Sequence, residues 1–280
     1  MISMGLINKI GLGTVQFGLD YGISNKKGKT DDNEINSIIK TCQSKGMTII
    51  DTSPDYGNAE ELIGKFDLSK FKVVSKFISK PNYSIYDLLN KSLKNLNLNN
   101  LYGYLSHRPN ELLKDKNLWM DLLKIKDKGL VNKIGVSVYN ANEIDLLIKK
   151  KMVPDIVQLP FNFLDRRFEN HFQKLIDCGV EIHARSIFLQ GLFFLNTKNM
   201  NSFFNPVKNV IDELQKSSNL SGDLLNFVLS NKYISHGIVG VENNNQLKHN
   251  IQSCKYSSEI NVNINTPFTD DILNPSKWKN

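Results

Sequence analysis

Four side chains could work together on a carbonyl group: Asp51, Tyr56, Lys76 and His107. Asp51 and Tyr56 share the string Asp51-Thr52-Ser53-Pro54-Asp55-Tyr56-Gly57, directly after the apolar run Met47 to Ile50, and Lys76 and His107 each follow a further apolar run. A phenol with a pKa of about 10 is a poor acid at neutral pH, but an ammonium beside it favours the phenolate and so makes the phenol a better donor. Lys76 would supply that ammonium and Asp51 would fix it, while a neutral imidazole at His107 can orient a carbonyl oxygen by donating a hydrogen bond. Together they read as a proton-donating site. Lys76 alone would also suit a Schiff-base aldolase, against which the Asp51 to Tyr56 spacing argues. Neither a His-x-His pair after the first strand nor a His-Glu-x-x-His string occurs, so no metal site is expected.

Such residues meet only if the apolar runs before them are parallel strands ending on one rim, where (β/α)8 barrels carry their catalytic groups. The chain supplies the pattern. Short apolar runs alternate with longer amphipathic stretches, as in successive βαβ units. Strands are predicted near Lys9 to Leu12, Thr48 to Ile50, Lys72 to Ser75, Tyr102 to Ser106, Lys133 to Val136, Ile156 to Leu159, Glu181 to Ala184 and Gly237 to Val239. Helical spacing is visible over Asp31 to Lys45, where Ile35, Ile38, Ile39 and Cys42 share a face and Thr30-Asp31-Asp32 supplies capping oxygens. Further helices are predicted over Ile85 to Leu96, Leu118 to Lys128, Ala141 to Lys150 and Arg166 to Cys178. Leu192 to Asn209, rich in Phe and Asn without a clear period, reads as a long loop after the seventh strand, and Gln252 to Asn280 as an irregular tail.

At this point the chain resembles the aldo/keto reductase superfamily. The likeness runs from Ile10-Gly11-Leu12-Gly13-Thr14 through the Asp51 to Gly57 string, Lys76, His107-Arg108-Pro109, Gly135-Val136-Ser137 and Gln158 to Gly240 and Asn250. It implies a single-domain TIM barrel that reduces an aldehyde or ketone with a nicotinamide cofactor laid across the barrel rim, Asp51, Tyr56, Lys76 and His107 forming the catalytic tetrad. It also implies cofactor contacts from Gly13, Thr14, Asp51, Ser137, Gln158, Arg185, Ser186, Gly240, Gln246 and Asn250. The departures are specific. Val138 stands where many relatives have Asn, and Arg185 where most place an aromatic ring against the nicotinamide. Gln246 replaces the arginine that often meets a 2′-phosphate. NADPH is the cofactor the resemblance implies, with Lys248 compensating for Gln246, and NADH is the alternative. Arg108 and Asp55 beside the tetrad imply a polar substrate, sugar-like or anionic. Because the superfamily includes members better known for partner binding, a cofactor-binding regulatory subunit is the alternative function.

Composition agrees with an enzyme of this kind. The 280 residues, 40% hydrophobic, suit one barrel of about 250 residues or more. No run of 18 apolar residues and no signal-peptide pattern is present, so a cytoplasmic protein without membrane partners is expected. The three cysteines, Cys42, Cys178 and Cys254, form no C-x-x-C pair and read as reduced thiols. The net charge of +7 is spread among acidic and amide residues, which argues for a solvated surface rather than nucleic-acid binding. A monomer is the expected state.

Overall fold

Every apolar run singled out above forms a strand, and the eight strands pair in sequence order into a closed parallel barrel. The computed structural model describes residues 4–264 and 267–278. The strands are β1 (Ile10–Gly13), β2 (Ile49–Asp51), β3 (Lys72–Phe77), β4 (Leu101–Ser106), β5 (Val131–Ser137), β6 (Ile156–Pro160), β7 (Glu181–Arg185) and β8 (His236–Gly240). Pairing of β1 with β8, from Ile10 opposite Gly237 to Gly13 opposite Gly240, closes the ring and leaves no edge. The architecture is the single-domain (β/α)8 barrel expected from the sequence.

Most of the apolar core lies between the strands and the surrounding helices. The Asp32–Ser44 helix buries Ile35, Ile38, Ile39 and Cys42, and Asp31 caps it by accepting from the Glu34 amide at 2.9 Å. Ser84 and Asp87 form a capping box that starts the Ile85–Leu96 helix.

Three predicted segments differ. The helix expected from Arg166 starts at Glu169, because Arg167 is drawn into the preceding turn, where its Nε donates to Asp165 at 2.8 Å. The loop expected over Leu192 to Asn209 is a series of short 3₁₀ turns that gives way to a helix at Asn205–Leu214, with Pro206 in its first turn, where a missing N–H costs nothing. The Asn244–Lys255 helix runs into the expected irregular tail, which also holds a short helix at Asp270–Leu273. Positions 265–266 and 279–280 of that tail lie outside the described residues. The rest of it packs Ile260, Val262, Phe268 and Trp278 onto a second apolar cluster built around Leu192, Phe193 and Phe204.

The barrel interior changes character along its axis. At the N-terminal end, Glu181 accepts from the Tyr102 hydroxyl and from His183 Nε2, at 2.8 and 2.7 Å, and pairs with Lys133. Burial opposes its ionisation, yet His183, Lys133 and Tyr102 together hold its carboxyl well below the usual range. His236 lies 3.7 Å from the same carboxylate, and burial, reinforced by His183, pushes its pKa down to about 4. Next comes a small apolar cluster of Val74, Leu105 and Ile156. Alternation along β3 then returns to a polar side chain at Lys76, near the C-terminal end. No helix among the described residues is long and apolar enough to cross a membrane.

Candidate active site

Asp51 is the last residue of β2, Lys76 is the last but one of β3, and His107 immediately follows β4. Strand register therefore brings three of the four singled-out side chains to one rim. Tyr56 reaches them from the loop after β2, and two glycines set that loop. Gly57 has φ +61°, and a Cβ on Gly18 would stand 1.6 Å from the Tyr56 carbonyl oxygen. The backbones of the two loops touch, which fixes where the tyrosine leaves the chain.

Lys76 is wholly buried and donates to Asp51 Oδ2 at 2.7 Å, to the Thr52 carbonyl at 3.0 Å and to the Tyr56 hydroxyl at 3.3 Å. Its three ammonium donors are thus matched by three acceptors. Burial disfavours its charge, but Asp51 and Tyr56 outweigh that and raise its pKa above the ordinary value, so the ammonium persists at neutral pH. Asp51 Oδ1 accepts from Gln158 Nε2 at 2.7 Å, so Gln158 braces the carboxylate as well as lining the cavity. For Tyr56, burial raises the pKa despite the opposing pull of Lys76. The phenol is therefore held as a phenol, with an ammonium ready to stabilise a phenolate once it forms.

His107 meets the Tyr56 ring edge to face, centroids 6.2 Å apart, and its Nδ1 lies 3.3 Å from Asp55 Oδ2. That contact, with a depressed Asp55 pKa that owes most to it, ties Asp55 to the imidazole rather than leaving it free for substrate. A carboxylate only accepts, so Nδ1 carries the proton of the neutral ring and Nε2 is left as an acceptor. Burial lowers the His107 pKa, with Asp55 acting against it. With the proton on Nδ1, Nε2 accepts, whereas the donor role expected from the sequence uses the other tautomer. Arg108 is exposed, pairs with no carboxylate among the described residues and does not line the cavity.

The rim opens into a cavity of about 900 Å³, within the usual range for small-molecule sites. Gly13, Thr14, Gln158, Arg185, Ser186, Gly240, Gln246 and Asn250 all line it. Ser137 does not; it is buried at the end of β5. Arg185 stacks 4.1 Å from the Tyr139 ring centroid and donates to the Val138 carbonyl at 3.0 Å, so the residue found in place of the expected Asn engages through its backbone. Ser186, Leu189 and Gln190 have left-handed backbones, an unusual concentration of strain for residues with side chains, and all three line the cavity.

Several lining residues were missed in the sequence, among them Tyr21, Tyr139, Asn219, Ser221, Glu242 and His249. One signal was available. Ser217-Ser218-Asn219 is a run of small polar residues directly before the apolar Leu220–Leu229 helix, the pattern of a helix start that can face a ligand. No described residue of the tail beyond Asn250 lines the cavity.

The fold and the cluster on its rim can be set beside known proteins. The model of the aldo/keto reductase family matches residues 9–264, and the chain belongs to that family. It is 29% identical over 147 residues to an uncharacterized oxidoreductase of Mycobacterium tuberculosis, covering 49% of this chain and 44% of that protein. It is 26% identical over 180 residues to an aldo-keto reductase of Bacillus subtilis, covering 58% and 52%. The matched stretches span about half the length of these relatives. Among solved structures it is similar to an aldo-keto reductase of Bacillus halodurans in its holo form, with TM-score 0.72, 18% identity and coverage of 95% of this chain and 89% of that one. An aldo-keto reductase structure from Pseudomonas aeruginosa gives TM-score 0.68 at 20% identity, with 88% of each chain covered.

Proposed function

We propose that this protein reduces an aldehyde or ketone to the alcohol with a nicotinamide dinucleotide, Tyr56 supplying the proton. The observation that carries this reading is the buried Asp51–Lys76–Tyr56 chain of contacts, at 2.7 and 3.3 Å, at the mouth of a 900 Å³ cavity. The residues fit such a cofactor: the cavity extends from the tetrad past Gln158 and Gly240 to Asn250, and Gln16 Oε1 and Arg185 Nε line it as buried polar atoms without partners. When bound, the reduced nicotinamide supplies a hydride to the carbonyl carbon.

As that bond forms, the carbonyl π pair moves to oxygen and the Tyr56 O–H bond breaks to protonate it. Lys76 stabilises the resulting phenolate, and Asp51 keeps Lys76 charged and immobile. His107, its Nδ1 proton held by Asp55, turns a lone pair on Nε2 toward a donor on the substrate, such as a hydroxyl near the carbonyl. This supports a polar substrate by a route independent of Arg108. Arg185 and Gln158 hold the cofactor at its reacting end.

The test is a panel of simple aldehydes, keto sugars and anionic carbonyl compounds assayed with both reduced dinucleotides. Turnover of polar carbonyl compounds that vanishes in Tyr56→Phe is expected. Absence of turnover across the panel, with tight dinucleotide binding retained, would point instead to a binding subunit.

A further inference from the structure

Charge is distributed unevenly along the cavity. Arg185 and His107 lie at the tetrad end, whereas the far end is lined by Asn219, Ser221, Glu242, Gln246, His249 and Asn250. No lysine or arginine among the described residues lines that far end. The one imidazole there is engaged, since His249 Nε2 lies 3.1 and 3.3 Å from the Ser221 and Ser253 hydroxyls. Gln246 is partly committed: its Oε1 accepts from the Glu242 backbone amide at 2.8 Å and its backbone N–H donates to Asn243 Oδ1 at 2.9 Å, which leaves only the uncharged Nε2 to face a ligand. Lys248 is exposed on the Asn244–Lys255 helix and does not line the cavity, so the compensation expected of it is absent from this arrangement. A second carboxylate reaches this region from the Asp32–Ser44 helix, where Glu34 accepts from the Asn244 amide at 2.8 Å.

We infer that the cofactor is NADH rather than NADPH, and that Glu242 discriminates between them at the adenosine ribose. This rests on the reductase reading, which places the nicotinamide at the tetrad and the adenosine at the opposite end. A 2′-phosphate adds a charge of about −1.5 to −2 and is bound well by arginine or lysine. Here it would meet a carboxylate and no cation. A ribose with free 2′ and 3′ hydroxyls offers two donors, for which a carboxylate is a strong acceptor. Dinucleotide-binding folds of other architectures make the same choice, with an acidic residue on the 2′-hydroxyl for one cofactor and an arginine on the phosphate for the other. The loop also holds Glu242 in place, through the Gln246 contact to its amide and the Thr30 hydroxyl, which donates to its carbonyl at 3.2 Å.

The experiment measures dissociation constants of the whole protein for NADH and NADPH by cofactor fluorescence, with 5′-AMP and 2′,5′-ADP as competitors that report on the adenosine end alone. NADH should bind at least about tenfold more tightly, the competitors should follow the same order, and added salt should narrow the gap by screening the repulsion. Glu242→Gln should weaken NADH and strengthen NADPH, moving the ratio by about tenfold or more, and Glu242→Lys should invert it. Equal or tighter binding of NADPH by the unmodified protein, or an unmoved ratio in both variants, overturns the inference while leaving the reductase reading intact. Binding of neither dinucleotide overturns both.

Discussion

Replacing Lys76 by Met removes the ammonium that faces Asp51 while keeping a side chain of similar length. Asp51 is only 3% exposed, so the variant leaves a buried carboxylate supported by the Gln158 amide and no longer by a cation. Breaking a buried pair from one side typically costs about 3–5 kcal/mol. At roughly 2–4 °C per kcal/mol, the melting temperature should fall by about 6–20 °C. Pairing the change with Asp51→Leu removes the stranded charge and should recover most of the lost stability. Neither variant should turn over carbonyl substrates, because Tyr56 loses the charge that stabilises its phenolate. Thermal unfolding of both variants at neutral pH, beside an absorbance assay of dinucleotide consumption, separates the two effects. A Lys76→Met protein that melts within a degree or two of the parent at neutral pH would refute the argument, since the buried Asp51 could not then depend on its contact with Lys76.

Tyr56→Phe should lower kcat by about 10²- to 10⁴-fold, as loss of a general acid does, with dinucleotide dissociation constants within a few fold of the parent. Near-normal turnover would take the phenol out of the reaction. At the other end of the barrel, His236 has a folded pKa of about 4 against an ordinary 6.5, so the unfolded chain binds more protons between those values and stability falls as pH drops through that window. The full gap is worth roughly 3 kcal/mol, and His236→Gln should flatten urea-unfolding stability between about pH 6.5 and 4; an unchanged slope would place the acid sensitivity elsewhere. Arg108→Leu should change kcat/KM for polar substrates by less than about threefold, since residues outside the site have small effects. A tenfold selective loss would bring Arg108 back as a substrate contact.

The barrel was legible because its strands are short apolar runs separated by amphipathic stretches, and hydropathy alone finds both. The strand ends were less so. β3, β5, β7 and β8 each extend beyond the apolar run, through residues such as Lys76, Ser137, Arg185 and Gly240, where backbone pairing continues after side chains have turned polar to face the rim. Asp51, Tyr56, Lys76 and His107 could be grouped because each sits at or close beyond a strand end. The partners of Asp55 and Arg108 could not be read, because adjacency in sequence gives no direction to a side chain. The Asn205–Leu214 helix was hidden by Pro206 and the Asn-rich composition around it, cues that mark a loop as often as a helix start. Glu242 and His249 were overlooked because nothing in the sequence separates an acidic or imidazole side chain that lines a cavity from one on the open surface.

The cluster of Val74, Leu105 and Ile156 lies between two ionised assemblies, the Glu181 group at one mouth of the barrel and the tetrad at the other. It works as an insulator. It offers no donor or acceptor through which a proton could be relayed from one assembly to the other. A change at Glu181, Lys133 or His236 therefore breaks polar contacts at one mouth of the barrel and none at the other.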